Sequence, residues 1–338
     1  MQPYLTALAE GHTFTITEAE AIMHLLMQGE ATELQMAALL LGLRSRGETL
    51  DELTGFTRVM REYAVPVTCN DPNAIDVCGT GGDRSGTFNV STAVTLVCAG
   101  AGVTVAKHGN RSVSSLSGSA DVLAALGVKT DLGKNGVETC LNETGVAFLF
   151  APLFHPALKH VMPVRRALGV RTFFNILGPL CNPAKVERQL VGAFNAEMAK
   201  MMAEILTRLG SKQVMTVHAH DGLDEISTSA ATDAFRLTRE GTLLPMTVTP
   251  EAHQMPRVDP TEVRGGDAVA NATILTQILN GERSAKRDIV VLNAAYALSL
   301  SGKFPSLEDA FAAANESLDR GSARQKLTDL IRVSNQLS

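Results

Sequence analysis

Over the first sixty-odd residues, apolar positions recur at the three- and four-residue spacing that gathers one face of an α-helix. Three such stripes are Ile22, Leu25 and Leu26; Met36, Leu39 and Leu40; and Leu53, Phe56, Val59 and Met60. Each follows a Thr with Glu or Gln three residues on: Thr17 to Glu20, Thr32 to Gln35 and Thr49 to Glu52. In that arrangement the two side chains each satisfy an N–H left orphaned at a helix start. The pattern predicts three or four short helices in a small bundle, interrupted at Gly42, Gly47 and Gly55, with faces used for packing or as a subunit interface.

Beyond Pro66 the period changes. Ala74-Ile-Asp-Val-Cys78 is a β-rich run ending in a glycine cluster, and strand-like and helix-like stretches then alternate. Strands are predicted at 103–106, 146–150, 190–194 and 214–218, and helices at 91–99, 119–126, 156–168 and 197–209. That alternation predicts an α/β fold with a mostly parallel, buried central sheet. We place a boundary near Val67, between a small N-terminal helical domain (1–66) and a larger α/β domain (67–338). From about Asn271 the chain returns to helices, punctuated by Pro305 and Gly321.

Thirty Lys and Arg against thirty-five Asp and Glu give a net charge of −5, and aromatic residues make up 4%. Neither the positive surplus that phosphate backbones demand nor the aromatic platforms on which bases stack are present, so no nucleic-acid partner is expected. No apolar run is long enough to span a bilayer, and the start MQPYLTALAEGHTF lacks a basic stretch and an apolar core. The expectation is a cytoplasmic enzyme or binding protein with no membrane partner. Five scattered cysteines, odd in number and without a C-x-x-C pair, suggest buried small hydrophobes rather than a disulfide framework or a zinc site.

The densest motif runs from Gly79-Thr80-Gly81-Gly82-Asp83 through Thr87-Phe88-Asn89-Val90-Ser91-Thr92 into an apolar helix. Glycines at a strand end let backbone N–H groups approach an anion, and a helix start adds free donors and a positive dipole end. It is neither a Walker A loop nor a dinucleotide fingerprint. A second loop, Lys107-His108-Gly109-Asn110-Arg111 to Ser114, Ser115, Ser117 and Ser119, follows the next strand; its lysine and arginine suit phosphate oxygens, while its serines suit phosphate or helix capping. Asp224 and Glu225, after a later strand, are oxygen ligands of the kind Mg²⁺ takes alongside substrate phosphates. His218 and His220 lack a third ligand and read as structural. Lys159, Arg165, Arg166 and Arg171 form a basic cluster, either a solvated helix face or a grip on a small carboxylate.

The stretches CGTGGD, TFNVST, KHGNRSVSS, GSADVL, HPALKHVMPVRRALGVRTFFNILGPLCNP and DGLDEIS together resemble those of the anthranilate phosphoribosyltransferases, which carry out the second step of tryptophan biosynthesis from chorismate. The resemblance implies a helical domain through which two copies dimerise, with part of 165–185 packed on it. It implies transfer of phosphoribosyl from 5-phosphoribosyl 1-pyrophosphate (PRPP) to the amine of anthranilate, with Mg²⁺, between the domains. Carried over by position, Gly79, Gly82, Asp83, Thr87, Asn89, Val90, Ser91, Thr92, Lys107, His108, Gly109, Asn110, Arg111, Ser114, Ser115 and Ser119 hold PRPP. Ser91, Asp224 and Glu225 carry the metal. Gly79, Asn110, His155, Arg165 and Gly178 contact anthranilate, Arg165 pairing its carboxylate, with His108 and Pro152 lining the approach.

An arylamine has its lone pair free at neutral pH, so no side chain is expected to be indispensable as a base. Three positions depart from the family pattern: Leu116 where Lys or Arg is common, Arg84 where Gly is usual and Ala124 where Glu is common; the first two are expected to alter donor affinity slightly. Pyrimidine nucleoside phosphorylases share the architecture but need neither the acidic pair nor Arg165. A non-catalytic nucleic-acid-binding relative would be strongly basic.

Overall fold

The computed structural model describes residues 1–81, 85–111, 116–238 and 240–337. The chain opens with α1 (Gln2–Ala9), α2 (Ile16–Gln28), α3 (Glu33–Arg46) and α4 (Leu50–Glu62). The caps at Thr32 and Thr49 form as predicted, but the cap of α2 is Thr15, two residues before the predicted one. Thr15, in extended backbone, accepts from the Glu18 N–H, and Glu18 accepts the Thr15 N–H at 2.9 Å. Thr15 and Thr17 both have Glu three residues on, so spacing alone leaves the register open. Gly42 and Gly55 do not interrupt the bundle; they lie inside α3 and α4. A Cβ at Gly55 would sit 2.6 Å from the Ile16 carbonyl oxygen, so the missing side chain is what lets α2 and α4 touch.

The larger part continues with β1 (Asp76–Gly79), α5 (Val90–Gly100), β2 (Val105–Gly109), α6 (Ser119–Ala125), α7 (Lys134–Thr144), β3 (Val146–Phe150) and α8 (Ala151–Phe154). Then come α9 (Met162–Leu168), α10 (Phe174–Leu180), β4 (Arg188–Gly192), α11 (Ala196–Arg208), β5 (Gln213–Ala219), β6 (Thr232–Leu237) and β7 (Leu243–Val248). Helices α12 (Ala268–Leu279), α13 (Ala285–Leu300), α14 (Leu307–Asp319) and α15 (Ser322–Gln336) close the chain. The predicted helix at 156–168 is instead a tight 3-10 turn, Pro156–His160, followed by α9, because Pro163 can open a helix but not continue one.

Strands pair in the order β1-β4-β5-β6-β7, and β2 pairs with β3. Parallel bonding of Ile75 to Thr104 (2.9 Å) and Ala106 (3.0 Å), just before β1, ties the two sets together. The sheet is thus parallel from β3 to β5 and antiparallel at β6 and β7. That last hairpin went unread because Pro245 sits in β7, and proline is tolerated only at the edge, which is where β7 lies.

Alternate residues along β1, β4 and β5 feed two cores. Val77, Leu190 and Met215 face the one built with α5, α13, α14 and α15. Cys78, Val191 and Val214 face the other, which holds α2, α3, α4, α11 and residues 161–181. In the second core Phe173 stacks on Phe56 with ring centroids 4.4 Å apart.

Candidate active site

The carboxyl ends of β1, β2 and β5 converge, as they must in a parallel sheet whose crossovers all return to the same edge. After β5 the chain lays Asp224 across the end of β1, where its Oδ2 accepts the Gly81 N–H at 2.8 Å. A Cβ at Gly79 would lie 2.6 Å from that same oxygen, and one at Gly192 would overlap the Asp224 carbonyl. These two glycines are therefore what allows the acidic pair to reach the glycine loop. Glu225 Oε1 accepts the Ser91 N–H at 3.2 Å, in the first turn of α5, where a helix dipole favours a carboxylate.

Lys107 is 2% exposed, and its Nζ donates to the Val77 carbonyl (2.6 Å) and Ser91 Oγ (3.1 Å). Burial pulls its pKa down, against the pull of Asp76, Glu225 and Asp224. Asp76 lies fully buried beneath it, accepting the His108 N–H (3.1 Å) and the Asn182 side chain (2.8 Å), and burial pushes its carboxyl up. Asn182 also donates to the Ala106 carbonyl at 2.8 Å. Asp76 and Asn182 went unread as site residues, since an acid inside a strand and an Asn before a proline give no local signal of meeting.

The other described residues expected to hold PRPP lie along the same strand ends and helix starts. Thr87 Oγ1 lies 3.0 Å from Ser85 Oγ, and Asn89 shares its amide with Ser117 and Asn271. Val90 opens α5 and is buried, while the hydroxyls of Thr80 and Thr92 are buried without a hydrogen-bond partner among the described residues. Gly109 approaches Phe148 so closely that a Cβ would lie 2.8 Å from the ring, Asn110 Oδ1 accepts the Arg111 N–H at 2.7 Å, and Ser119 opens α6. Arg111 lies 5.8 Å over the Phe150 ring and 4.0 Å from Asp121. Gly82, Asp83, Arg84, Ser114 and Ser115 lie outside the described residues.

The second half of the site is organised by α10. The guanidinium of Arg165 lies 5.2 Å over the Phe174 ring at its first turn, and one turn further the Gly178 carbonyl accepts from His108 Nδ1 at 3.1 Å. That bond fixes the proton on Nδ1 and leaves Nε2 a bare acceptor. The His155 ring, held by the Cys181 backbone, lies 5.2 Å from that of His108. Neither Nε2 has a hydrogen-bond partner among the described residues. Burial holds the two imidazoles neutral, with pKa values lowered to about 3 for His108 and about 4 for His155. Arg165 is partly buried and pairs with no carboxylate among the described residues; its Nη1 reaches only the Met162 sulfur, at 3.5 Å. Pro152 lies in α8, at the end of β3. His218, by contrast, is spent on the Ala193 carbonyl (2.9 Å) and His220 on Asp233 (3.1 Å).

Residues 2–64 match the model of the glycosyl transferase family helical bundle domain, and residues 71–324 that of the same family's a/b domain. The anthranilate phosphoribosyltransferase of Salinibacter ruber is 55% identical, covering 99% of each chain, and that of Moorella thermoacetica is 46% identical, covering 98% of this chain and 97% of its own. The chain belongs to the anthranilate phosphoribosyltransferase family. The crystal structure of the family member from Thermus thermophilus superposes with a TM-score of 0.91 at 38% identity, over 98% of this chain and 99% of that one. The Saccharomyces cerevisiae anthranilate phosphoribosyltransferase in complex with PRPP and Mg superposes with a TM-score of 0.90 at 25% identity, over 99% and 98%.

Whether a family-type Mg²⁺ fits here is answered by the donors. Among the described residues no group of three His, Cys, Asp or Glu is placed to hold a metal. Two consecutive carboxylates and the Ser91 hydroxyl do meet at one strand end, all of them hard oxygen donors. That set fits a Mg²⁺ that brings substrate phosphates and water as its other ligands, and not a protein-only cage.

Proposed function

We propose that this chain transfers phosphoribosyl from PRPP to the amine of anthranilate with release of pyrophosphate, in tryptophan biosynthesis. The observation that carries the reading is α10: along one helix face it sets a guanidinium without a carboxylate partner among the described residues, and two neutral imidazoles, beside the strand ends that bear the glycine loop and the acidic pair. The described PRPP positions (Gly79, Thr87 to Thr92 apart from Phe88, Lys107 to Arg111, and Ser119) would cradle the donor, and Ser91, Asp224 and Glu225 would carry the metal. Bound there, Mg²⁺ would neutralise charge on the departing pyrophosphate.

The chain's own residues then have separable tasks. The starts of α5 and α6 lie beside the residues proposed to hold the donor, and the positive end of the α5 dipole favours negative charge there. Lys107 holds Ser91 in place and offsets the acidic pair, so its charge acts through the site's interior rather than at its surface. Arg165 takes the anthranilate carboxylate as a charge-assisted pair, which orients the amine toward the sugar. His108 Nε2 accepts an amine N–H. Its pKa of about 3 makes it a poor proton acceptor, in keeping with a reaction that starts from a free lone pair.

Leu34 and Leu41 stand exposed on α3, which supports pairing of two copies through the helical part; sedimentation of the purified protein tests it. The division at Val67 and a cytoplasmic location belong to the same reading; among the described residues no helix is long and apolar enough to cross a membrane. The activity is tested by following anthranilate fluorescence on addition of PRPP, with and without Mg²⁺. Magnesium-dependent loss of signal is expected, and a folded protein that consumes no anthranilate would overturn the reading.

A further inference from the structure

The glycine loop and the β2–α6 loop are separate in sequence, yet a third segment clasps both. Residues 264–271 pack beside residues 86–89, just before α5. Thr87 bridges Arg264, the Gly265 N–H donates to the Gly86 carbonyl at 2.9 Å, and a Cβ on Gly265 would come within 2.5 Å of the Phe88 backbone. The segment ends in Asn271, in the first turns of α12 and 2% exposed. Its Nδ2 donates to Asn89 Oδ1 and to Ser117 Oγ, both at 2.9 Å, and its Oδ1 accepts the Gly266 N–H at 2.7 Å. Asn89 answers with a second bond to the same loop: its Oδ1 also accepts from Ser117 Oγ (3.1 Å) and its Nδ2 donates to the Ser117 carbonyl (3.3 Å).

Asn89 is the residue before α5 and Ser117 lies two before α6. Their link through Asn271 therefore sets the distance between two helix starts. Asn89 makes no capping bond to its own helix, because its amide is committed to this network. A buried amide with both N–H groups in use cannot lose a partner without leaving another unsatisfied, so the three segments move together or not at all. We infer that Asn271 is a positioning residue that holds the two phosphate-facing helix starts in register for the donor, without touching the donor itself. The inference rests on the donor-binding role proposed above for these loops.

The test compares the wild-type enzyme with Asn271→Ala, Ser117→Ala and the double variant. In Asn271→Ala the KM for PRPP is expected to rise about tenfold or more, the cost of one buried network bond, with the KM for anthranilate unchanged and kcat within about threefold. Because the two side chains act in one network, the double variant is expected to fall well short of the product of the singles. Amide hydrogen exchange supplies a readout independent of catalysis: residues 85–92 and 116–120 are expected to lose protection together, while β4 and β5 keep theirs. Unchanged donor KM, multiplicative single effects, or a loss of protection spread over the whole chain would each overturn the inference. If the wild-type enzyme consumes no anthranilate, the functional reading falls, and exchange at the two helix starts alone then decides whether Asn271 couples them.

Discussion

At the ends of β1 and β2 the side chains of Asp224, Glu225, Lys107, Asn89 and Thr87 are bonded to other protein groups, whereas along α10 the Nε2 atoms of His108 and His155 are buried without partners among the described residues. The first region is preorganised for charge: its carboxylates and its ammonium compensate each other. The second holds hydrogen-bonding capacity that a ligand can satisfy. On the proposed assignment a highly charged donor brings its own counter-ion and water, and its end of the site would work by holding electrostatics fixed. On the same assignment a small arylamine brings a flat apolar ring with one carboxylate, and its end would offer one cation and two neutral acceptors to it.

The largest expected effect tests whether charge compensation at the donor end is dispensable. Replacing Asp224 and Glu225 together by Ala should lower turnover by at least about a thousandfold, since metal stabilisation of a leaving pyrophosphate supplies several kcal/mol. Anthranilate binding, read by fluorescence titration, should survive. Loss of both together would mean that the two ends are not separable. At the acceptor end, Arg165→Leu should raise the KM for anthranilate about ten- to a hundredfold, as loss of a charge-assisted bond does, and leave the KM for PRPP alone. A shift in both constants would show that Arg165 serves the donor as well.

The imidazole pair gives a test in pH. In the unfolded chain both histidines take up protons as pH falls through about 6.5, while the folded chain keeps them neutral down to about 4 and about 3. The unfolded state therefore binds more protons in between. Stability from this source is complete above about pH 6.5 and is lost progressively as the pH falls toward the folded values. Urea unfolding at pH 7 and pH 5 should show a decline that is shallower in a His108→Asn, His155→Asn double variant. His108→Asn alone should keep anthranilate binding and most of kcat. A collapse of the rate with binding intact would make Nε2 a required base after all.

What could be read from the chain in advance follows the same division. The glycine loop, the Lys107 loop and the acidic pair announce themselves because anion-binding chemistry is written in contiguous residues. The helical bundle did so through its caps, and missed where Thr15 and Thr17 offered equal registers and where Gly42 and Gly55 lie inside helices rather than between them. The supports are long-range: Asp76 meets Asn182 across 106 residues and Asn89 meets Asn271 across 182. Each is an unremarkable polar residue in its own segment, and only the sheet order brings the partners together. Asn89, read from its motif as a donor ligand, also links its loop to Ser117 and Asn271, which its own segment gave no sign of. The β6–β7 hairpin was hidden for a local reason, the proline and the exposed alternation of an edge strand.

The smallest expected effect concerns Leu116, 77% exposed at the end of the Lys107 loop, where a large apolar side chain facing water has no packing to justify it. A lysine there would add one mobile positive charge near a polyanionic ligand without disturbing the Asn89–Ser117 bonds one residue on, which use the Ser117 carbonyl and hydroxyl. At exposed positions such a charge is worth a fraction of a kcal/mol and is screened by salt. Leu116→Lys should therefore lower the KM for PRPP by about twofold at low ionic strength, with the difference vanishing as salt is raised and the KM for anthranilate unmoved. A salt-independent change would instead mean that residue 116 alters the loop's shape, and an unchanged donor KM at every ionic strength would mean that the donor end is already saturated with charge by the interior groups beneath it.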